Sequence, residues 1–530
     1  MSPSESLPTT RPGSRQLMST EKPPDAQKER SNSSSSSETS IAKSVDMHEE
    51  PAWPKEWQAY RTLMGCFFLM FNSWGLVNAY GTFSSFYMES LMPDIPIYLL
   101  NLIGSTESFV VLVLSFAVGR LLDAGFSRYL LGAGAFFVSL GMFMLSLTSG
   151  SGGRGEGNFV LIWVTQGLTQ GLGMACFFVA SSQIASTWFI RRKSFAIGIV
   201  ASGASIAGLV YPIMTKYLIT SLGFNNAVRA VGGLVAGTSL ISFFCAIPNP
   251  AHPLNKESEY SWGNVRRWID PNAFKNATFN WFCASIAFMF FGFYAIFFNL
   301  EEWAYHQKLG VKSSTGKLGN DFGRTAEPNS SLRTWMYLSV MNAASTIGRM
   351  LSGWLSDHYG ALNVHFIVMF VSSILLYVWW TLASNVSSAF GFVVVFGAVS
   401  GAVIGLPPAT VANIITRSPG VDHSRLGQWT GMMYTLASPF ALTGPVIAGY
   451  LIKRFDNYLT VQMWSATCLF MASLCLLAAM ISADRIEKRS SRFTGFFSSA
   501  VNSVWSKDEE KADGQVPTRV PSTRDQIGRA

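Results

Sequence analysis

Two ionisable residues lie inside long apolar runs, where a charge is costly and therefore informative. Arg349 follows about fifteen residues of largely apolar sequence that begin at Thr334. A guanidinium held away from water is a natural bidentate partner for a carboxylate. The structural alternative is an arginine that snorkels to the membrane surface. Glu107 lies about nine residues into the run that begins near Tyr98. At ~1.5 Å per helical residue it sits ~13 Å deep, near the middle of a bilayer. Apolar surroundings penalise a charged carboxyl, which makes Glu107 a candidate for taking up and releasing a proton. The alternative is a glutamate that faces a wet cavity and is simply solvated.

Uncharged polar residues recur at the same depths: Asn72, Asn78, Gln166, Gln170, Asn299, Asn342, Asn413 and Gln428. Of these, Asn78, Gln166, Gln170, Asn342 and Asn413 join Arg349 as candidate substrate contacts. Any one alone is as readily an interhelical hydrogen bond. Together they describe an interior polar enough for a solute path. No metal site or cofactor is expected. His48, His252, His306, His358, His365 and His423 fall in tails, loops or helix ends, form no metal-ligand pair, and are accompanied by no phosphate-binding loop. That argues against an intramembrane enzyme and against an ATP-driven pump. The six cysteines all lie in apolar runs without CxxC spacing and read as small hydrophobes.

Helices must position these residues, and composition says how. Of 530 residues, 49% are hydrophobic and only 13% charged, about half the ~25% usual in soluble domains. A soluble chain of this length could not cover its surface, whereas a polytopic membrane protein fits. Apolar stretches recur at about 63–80, 98–118, 129–147, 159–184, 195–215, 230–247, 277–299, 334–355, 364–383, 389–414, 428–451 and 461–482. Each approaches the ~20 residues that cross ~30 Å of hydrocarbon, and lipid requires them to be helical. The predicted fold is all-α, with twelve transmembrane helices in two six-helix halves. Residues 1–60 form a Ser- and Pro-rich tail. Residues 61–247 form the first bundle, 248–276 a central loop, 277–482 the second bundle, and 483–530 a polar tail. The first tail lacks the apolar segment of a cleavable signal peptide.

The second and eighth spans end alike, in Gly119-Arg-Leu-Leu-Asp123 and Gly353-Trp-Leu-Ser-Asp357. A shared Gly-x-Leu-x-Asp at the same place in each half suggests an internal repeat. The net charge of +8 is spread along membrane edges, with no basic cluster on a foldable soluble domain, so no nucleic-acid partner is expected. The positive-inside bias between the two sides is weak. An even number of spans places both tails on one side, taken as cytosolic, and then Asn329 is an outward-facing glycosylation sequon.

The segment 188–208 carries an aromatic-Phe pair, the basic cluster Arg191-Arg192-Lys193, then Ala-x-Gly and a small-residue stretch. With the two Gly-x-Leu-x-Asp loops and Asn342–Asp357, it resembles the major facilitator superfamily over 61–482. Within that superfamily the chain is similar to the monocarboxylate-porter family, particularly its fungal members. The resemblance implies that Arg349 is substrate-linked. It also implies that Asp123 pairs with basic residues and helix ends to hold one conformer, so Asp123, Asp357, Arg191 and Arg192 are gating candidates. Gly203 and Gly208 join them. With Gly198 they lie five apart and spiral around the fifth helix, letting neighbours approach closely.

The chain also departs from the family. Animal members open the first helix with an acidic Gly-rich motif; here the segment reads Phe71-Asn-Ser-Trp-Gly-Leu-Val-Asn-Ala-Tyr-Gly81. The lysine near the outer end of that helix is replaced around Gly81, and the acid one turn before Arg349 is Ser345. The expected function is therefore secondary transport of an organic anion or related small metabolite by alternating access, with protons as a possible co-substrate. The variants are an exporter of a fungal specialised metabolite and a transporter-fold nutrient sensor. The expected location is the plasma membrane, with a vacuolar membrane as the other compatible site.

Overall fold

The apolar runs fold into twelve long helices. The computed structural model describes residues 54–150, 153–189, 192–250, 269–311, 332–418 and 425–485. Eleven helices are long and apolar enough to cross a membrane: α1 Trp57–Leu91, α2 Ile97–Asp123, α3 Ser127–Leu145, α4 Phe159–Ser186, α5 Lys193–Leu222, α6 Phe224–Cys245, α7 Ala277–His306, α9 Ala361–Trp380, α10 Val386–Gly405, α11 Leu426–Phe455 and α12 Leu459–Arg485. The twelfth, α8, is Trp335–Tyr359, 25 residues long. Asn342, Arg349 and four serines lower its apolarity. A short helix, Pro407–Arg417, continues α10 after a one-residue break at Leu406.

Glycines bring the two groups of six helices together. α5 runs antiparallel along α8. A Cβ at Gly198 would lie 2.6 Å from the Arg349 carbonyl, and one at Gly353 would lie 2.6 Å from that of Ser194. α2 runs antiparallel along α11 in the same way, and α1 lies beside α7. Small residues allow this because helices in lipid associate by close packing, without a hydrophobic drive of their own. The outer faces stay apolar: Phe136 on α3, Phe244 on α6 and Ile367 on α9 are all exposed. Such surface suits hydrocarbon and not water.

Several boundaries differ from the sequence reading. α1 begins at Trp57, inside the expected tail. α5 and α7 run on to Leu222 and His306. Lys216, expected in an outer loop, therefore lies inside α5, as do Glu301 and Glu302 inside α7. Pro212, Pro439 and Pro445 sit within continuous α5 and α11. α1 instead breaks at Asn72 and Ser73. Neighbours satisfy the Asn72 side chain at the break, as a membrane interior demands. The Asn72 amide donates to Thr238 Oγ1 (2.8 Å) and Ser239 Oγ (3.0 Å), and the Tyr211 hydroxyl donates to Asn72 Oδ1 (2.9 Å). His365, expected at a helix end, is fully buried in α9 and pairs through Nδ1 with Thr410 Oγ1 at 3.1 Å. The cysteines are free and at least half-buried.

Candidate functional site: a buried seam with a latch at each end

Arg349 sits where α8 meets α5. Its side chain is 2% exposed. Nη1 donates to the Ala201 carbonyl of α5 at 2.6 Å, and Nε to Ser345 Oγ at 3.4 Å. Ser345 in turn accepts from Ser205 Oγ of α5 at 3.1 Å. Among the described residues, no carboxylate pairs with this guanidinium. It therefore does not snorkel: it is a cation buried between the two groups of helices, held by a carbonyl and a hydroxyl. Burying an unpaired charge is expensive, and most of its five donors are free for a further acceptor.

The same seam contains an aromatic layer. The break in α1 delivers Trp74 at the start of its second segment. On α7, Phe290, Tyr294, Phe297 and Glu301 recur at spacings of four, three and four, so they share one face. Trp74 and Tyr294 stack across the seam with centroids 5.3 Å apart and planes at 16°. The Tyr294 hydroxyl interacts electrostatically with Arg349 and with Tyr434 of α11.

The remaining sequence candidates separate. Asn342 faces Gly208, whose Cβ would fall 2.6 Å from its amide. Its Nδ2 donates to Leu338 O at 3.1 Å, while its Oδ1 has no partner among the described residues. Asn78 donates to the Ala204 carbonyl at 3.3 Å, tying α1 to α5. Gln166 accepts from the Tyr87 hydroxyl at 2.6 Å within the first group of helices. Gln170 packs against Gly141 of α3 and Asn413 lies on the segment after the α10 break; neither makes a recorded contact with Arg349. Gly203 faces α1, with a Cβ that would fall 2.2 Å from Phe67 O. The glycines of α5 thus serve different neighbours, as their five-residue spacing implies. Arg191 and Asn329 lie outside the described residues, and Arg192 is the half-buried residue just before α5.

Glu107 lies apart from Arg349, inside the first group. It is fully buried, and among the described residues neither carboxyl oxygen has a hydrogen-bond partner. Tyr80 and Tyr87 of α1 are its electrostatic neighbours. Beside it, Trp163 Nε1 of α4 donates to Thr106 Oγ1 at 2.9 Å.

At the end where α1 starts, here the tail side, two aspartates close the seam. The backbone N–H groups of Ser194 and Phe195 donate to Asp357 Oδ1 (3.0 Å) and Oδ2 (3.1 Å). The N–H of Gln428 donates to Asp123 Oδ2 at 3.1 Å. Each carboxylate thus meets the N-terminus of a helix in the opposite group, where free amides and the helix dipole favour negative charge. Nearby, Asp270 accepts from Arg425 Nη1 (2.7 Å) and Trp429 Nε1 (3.2 Å). Burial alone would push its carboxyl up, but the bonds from Arg425, the Asn272 amide and Trp429 outweigh burial and hold it below the usual range.

At the far side a different latch operates. Lys216 Nζ of α5 lies 3.3 Å from Glu301 Oε1 of α7, with both side chains buried. Ser85 Oγ of α1 donates to Glu302 Oε1 at 3.1 Å. Asn101 Nδ2 of α2 donates to Asn299 Oδ1 (3.3 Å) and to the Pro445 carbonyl of α11 (3.1 Å). The seam is therefore bonded across at both ends. The sequence reading missed Lys216, Glu301, Glu302 and the aromatic layer. The available signal was the apolar residues on both sides of Lys216, Ile213-Met214 and Tyr217-Leu218-Ile219, which carry α5 past Pro212.

A two-group helical bundle with a polar, closable seam is the architecture of an alternating-access carrier. The family model described as Major Facilitator Superfamily matches residues 62–418 and 317–507. The chain belongs to the major facilitator superfamily. The transporter is 27% identical over 449 residues to an MFS-type transporter of Gibberella zeae, covering 84% of this chain and 92% of that one. It is 27% identical to an agnestins efflux protein of Paecilomyces divaricatus, covering 80% and 88%. It is 26% identical to an aspyridones efflux protein of Emericella nidulans, covering 80% and 78%. The fold is shared with the E. coli fucose:proton symporter, with a TM-score of 0.55 at 12% identity over 79% of this chain and 98% of that one.

Proposed function

We propose that this transporter exports a small organic acid, a fungal specialised metabolite, by alternating access, and that Arg349 receives the acid group. The observation that carries the reading is the buried guanidinium at the seam, which has no carboxylate partner among the described residues. A bound carboxylate or comparable oxyanion supplies the missing counter-charge with bidentate geometry. The efflux proteins among its relatives favour export. The resemblance to monocarboxylate porters favours an anion. In this reading the helices of 61–247 rock against those of 277–482, which 248–276 connects. The Asp123 and Asp357 contacts, with Arg191 and Arg192 as further gating residues, release to open one side while the Lys216–Glu301 latch holds the other closed. Both tails face the cytosol, Asn329 faces out, and the plasma membrane is the site of action.

Glu107 is the proposed proton carrier. An unpartnered carboxyl in the bundle interior is stable when neutral and costly when charged. Its titration can therefore be coupled to the opening of a water path.

The test is transport by the full chain in proteoliposomes, using labelled organic acids and an imposed pH gradient. Arg349→Gln should lower the rate about a hundredfold, as expected when a charge-assisted pair worth ~3 kcal/mol is lost. Transport of every acid at the wild-type rate by that variant overturns the substrate role. Glu107→Gln should transport without stimulation by the gradient, and retained stimulation overturns the coupling role.

A further inference from the structure

Resting on the anion reading above, we infer that the substrate is aromatic. The structure assigns Trp74, Phe178, Phe290, Tyr294 and Tyr434, with Arg349 at their edge, as a binding site for an acid whose charged oxygen is attached to a planar ring system. The five rings come from both groups of helices, Trp74 and Phe178 from α1 and α4, the other three from α7 and α11. Trp74, Tyr294 and Phe290 form a triangle of rings, with Trp74–Tyr294 at 5.3 Å and 16°, Phe290–Tyr294 at 6.0 Å and 18°, and Trp74–Phe290 at 5.8 Å and 34°. Phe178 closes one side edge-on to Trp74 (5.1 Å, 78°), and Tyr434 joins Phe178 (4.7 Å) to Phe290 (6.3 Å, 78°). All five are buried. A solute that crosses between the two groups has to part this layer.

The polar atoms of the layer point to a ligand rather than to plain packing. Buried Trp and Tyr normally bond their N–H and O–H, yet among the described residues Trp74 Nε1 and the Tyr294 hydroxyl have no partner. These two groups belong to the two rings that face each other across the seam. The Tyr294 hydroxyl also lies within electrostatic reach of Arg349. The layer thus offers two parallel aromatic faces, an unpaired donor on each, and a cation at one edge. When the groups of helices rock apart, the near-parallel Trp74 and Tyr294 faces have to separate by about one ring thickness, ~3.5 Å, to admit a ligand ring at van der Waals contact on both. The stacked pair then fills in the unloaded seam the place that a ligand ring takes in the loaded one. An aliphatic acid of the same size would match the charge and lose the stacking, which contributes from a few-fold to about tenfold per ring face.

The full chain in proteoliposomes tests this with three probes of matched size: labelled 2-naphthoate, its saturated counterpart decahydro-2-naphthoate, and neutral 2-naphthalenemethanol. The wild type should move 2-naphthoate at least tenfold better, as kcat/KM, than the saturated acid, and better again than the alcohol. Trp74→Leu and Tyr294→Leu should bring the two acids to within about threefold of each other. Tyr294→Phe keeps the ring and should keep the preference, which separates a lost face from a damaged fold; monodispersity and thermal melting check each variant. Equal transport of both acids by the wild type overturns the aromatic site and leaves the anion reading standing. Transport of the alcohol with neither acid overturns both readings, as does transport of no probe. Retention of the wild-type preference by both leucine variants overturns the assignment of the rings.

Discussion

Replacing Lys216 by Met should drive the transporter toward the conformer that is open on the far side. In the closed seam, Lys216 Nζ lies 3.3 Å from Glu301 Oε1, and the two side chains are 3% and 1% exposed. Thr334 Oγ1 adds a hydrogen bond at 3.5 Å to the same oxygen. Methionine keeps the length and the apolar stem but removes the charge. Glu301 is then left buried without its cation. Breaking one side of a buried pair costs about 3–5 kcal/mol. Glu301 has a further interaction, so the low end applies, about 3 kcal/mol. That cost falls on the closed arrangement, because opening hydrates Glu301. At tenfold per ~1.4 kcal/mol, the closed-to-open ratio should fall about a hundredfold. The assay is thiol labelling in detergent of a Thr82→Cys reporter, with the six native cysteines replaced. Thr82 is 1% exposed on α1 beside the far-side contact, so its labelling rate reads the open fraction. Lys216→Met should raise that rate at least tenfold. Adding Glu301→Gln should return most of it, because removing both partners leaves no stranded charge. A rate within twofold of the parent in the single variant, or no recovery in the double, refutes the latch.

The tail-side aspartates should act with the opposite sign. Asp357→Asn removes the charge that meets two amides of α5, and Asp123→Asn removes its counterpart at α11. Each should weaken tail-side closure by ~0.5–2 kcal/mol and raise labelling of a Ser352→Cys reporter, the two together more than either alone. Unchanged labelling in the double variant refutes the capping role. Asp270 tests the acid limb of stability. Its folded carboxyl titrates below the usual range, so its bonds add stability above about pH 4 that is lost as the pH falls through the folded value. Asp270→Asn should lower the melting temperature at neutral pH, by an amount set by ~1 kcal/mol because Arg425 is half-exposed. That gap should close toward pH 3, and a gap that is constant with pH refutes the assignment.

The number of helices, their approximate spans and the placement of Arg349 and Glu107 inside them were all legible in the sequence. The reason is local: a bilayer selects any ~20-residue apolar segment as a helix whatever its neighbours do, and a charge inside such a segment is visible against it. The paired Gly-x-Leu-x-Asp loops were legible for the same reason, as short patterns at equivalent span ends. Asp123 and Asp357 therefore stood out in the sequence, but not the amides they bind. Gln170 and Asn413 were polar at the right depth, yet one packs on α3 and the other lies beyond the α10 break, because depth along a helix does not specify direction around it.

Partnership between helices was decided only by the tertiary structure. Asp123 meets Gln428 across 305 residues of chain, Lys216 meets Glu301 inside what the sequence reading took for loops, and Trp74 stacks on Tyr294 after a break in α1. In water, a hydrophobic stripe marks the face a helix buries; in lipid both faces are apolar and that mark is lost. What chooses the partners is the fit of small residues such as Gly198 and Gly353 against backbone on another helix. That fit is a property of the assembled bundle, and it is what turns one buried arginine, a layer of rings and two unlike latches into a single seam.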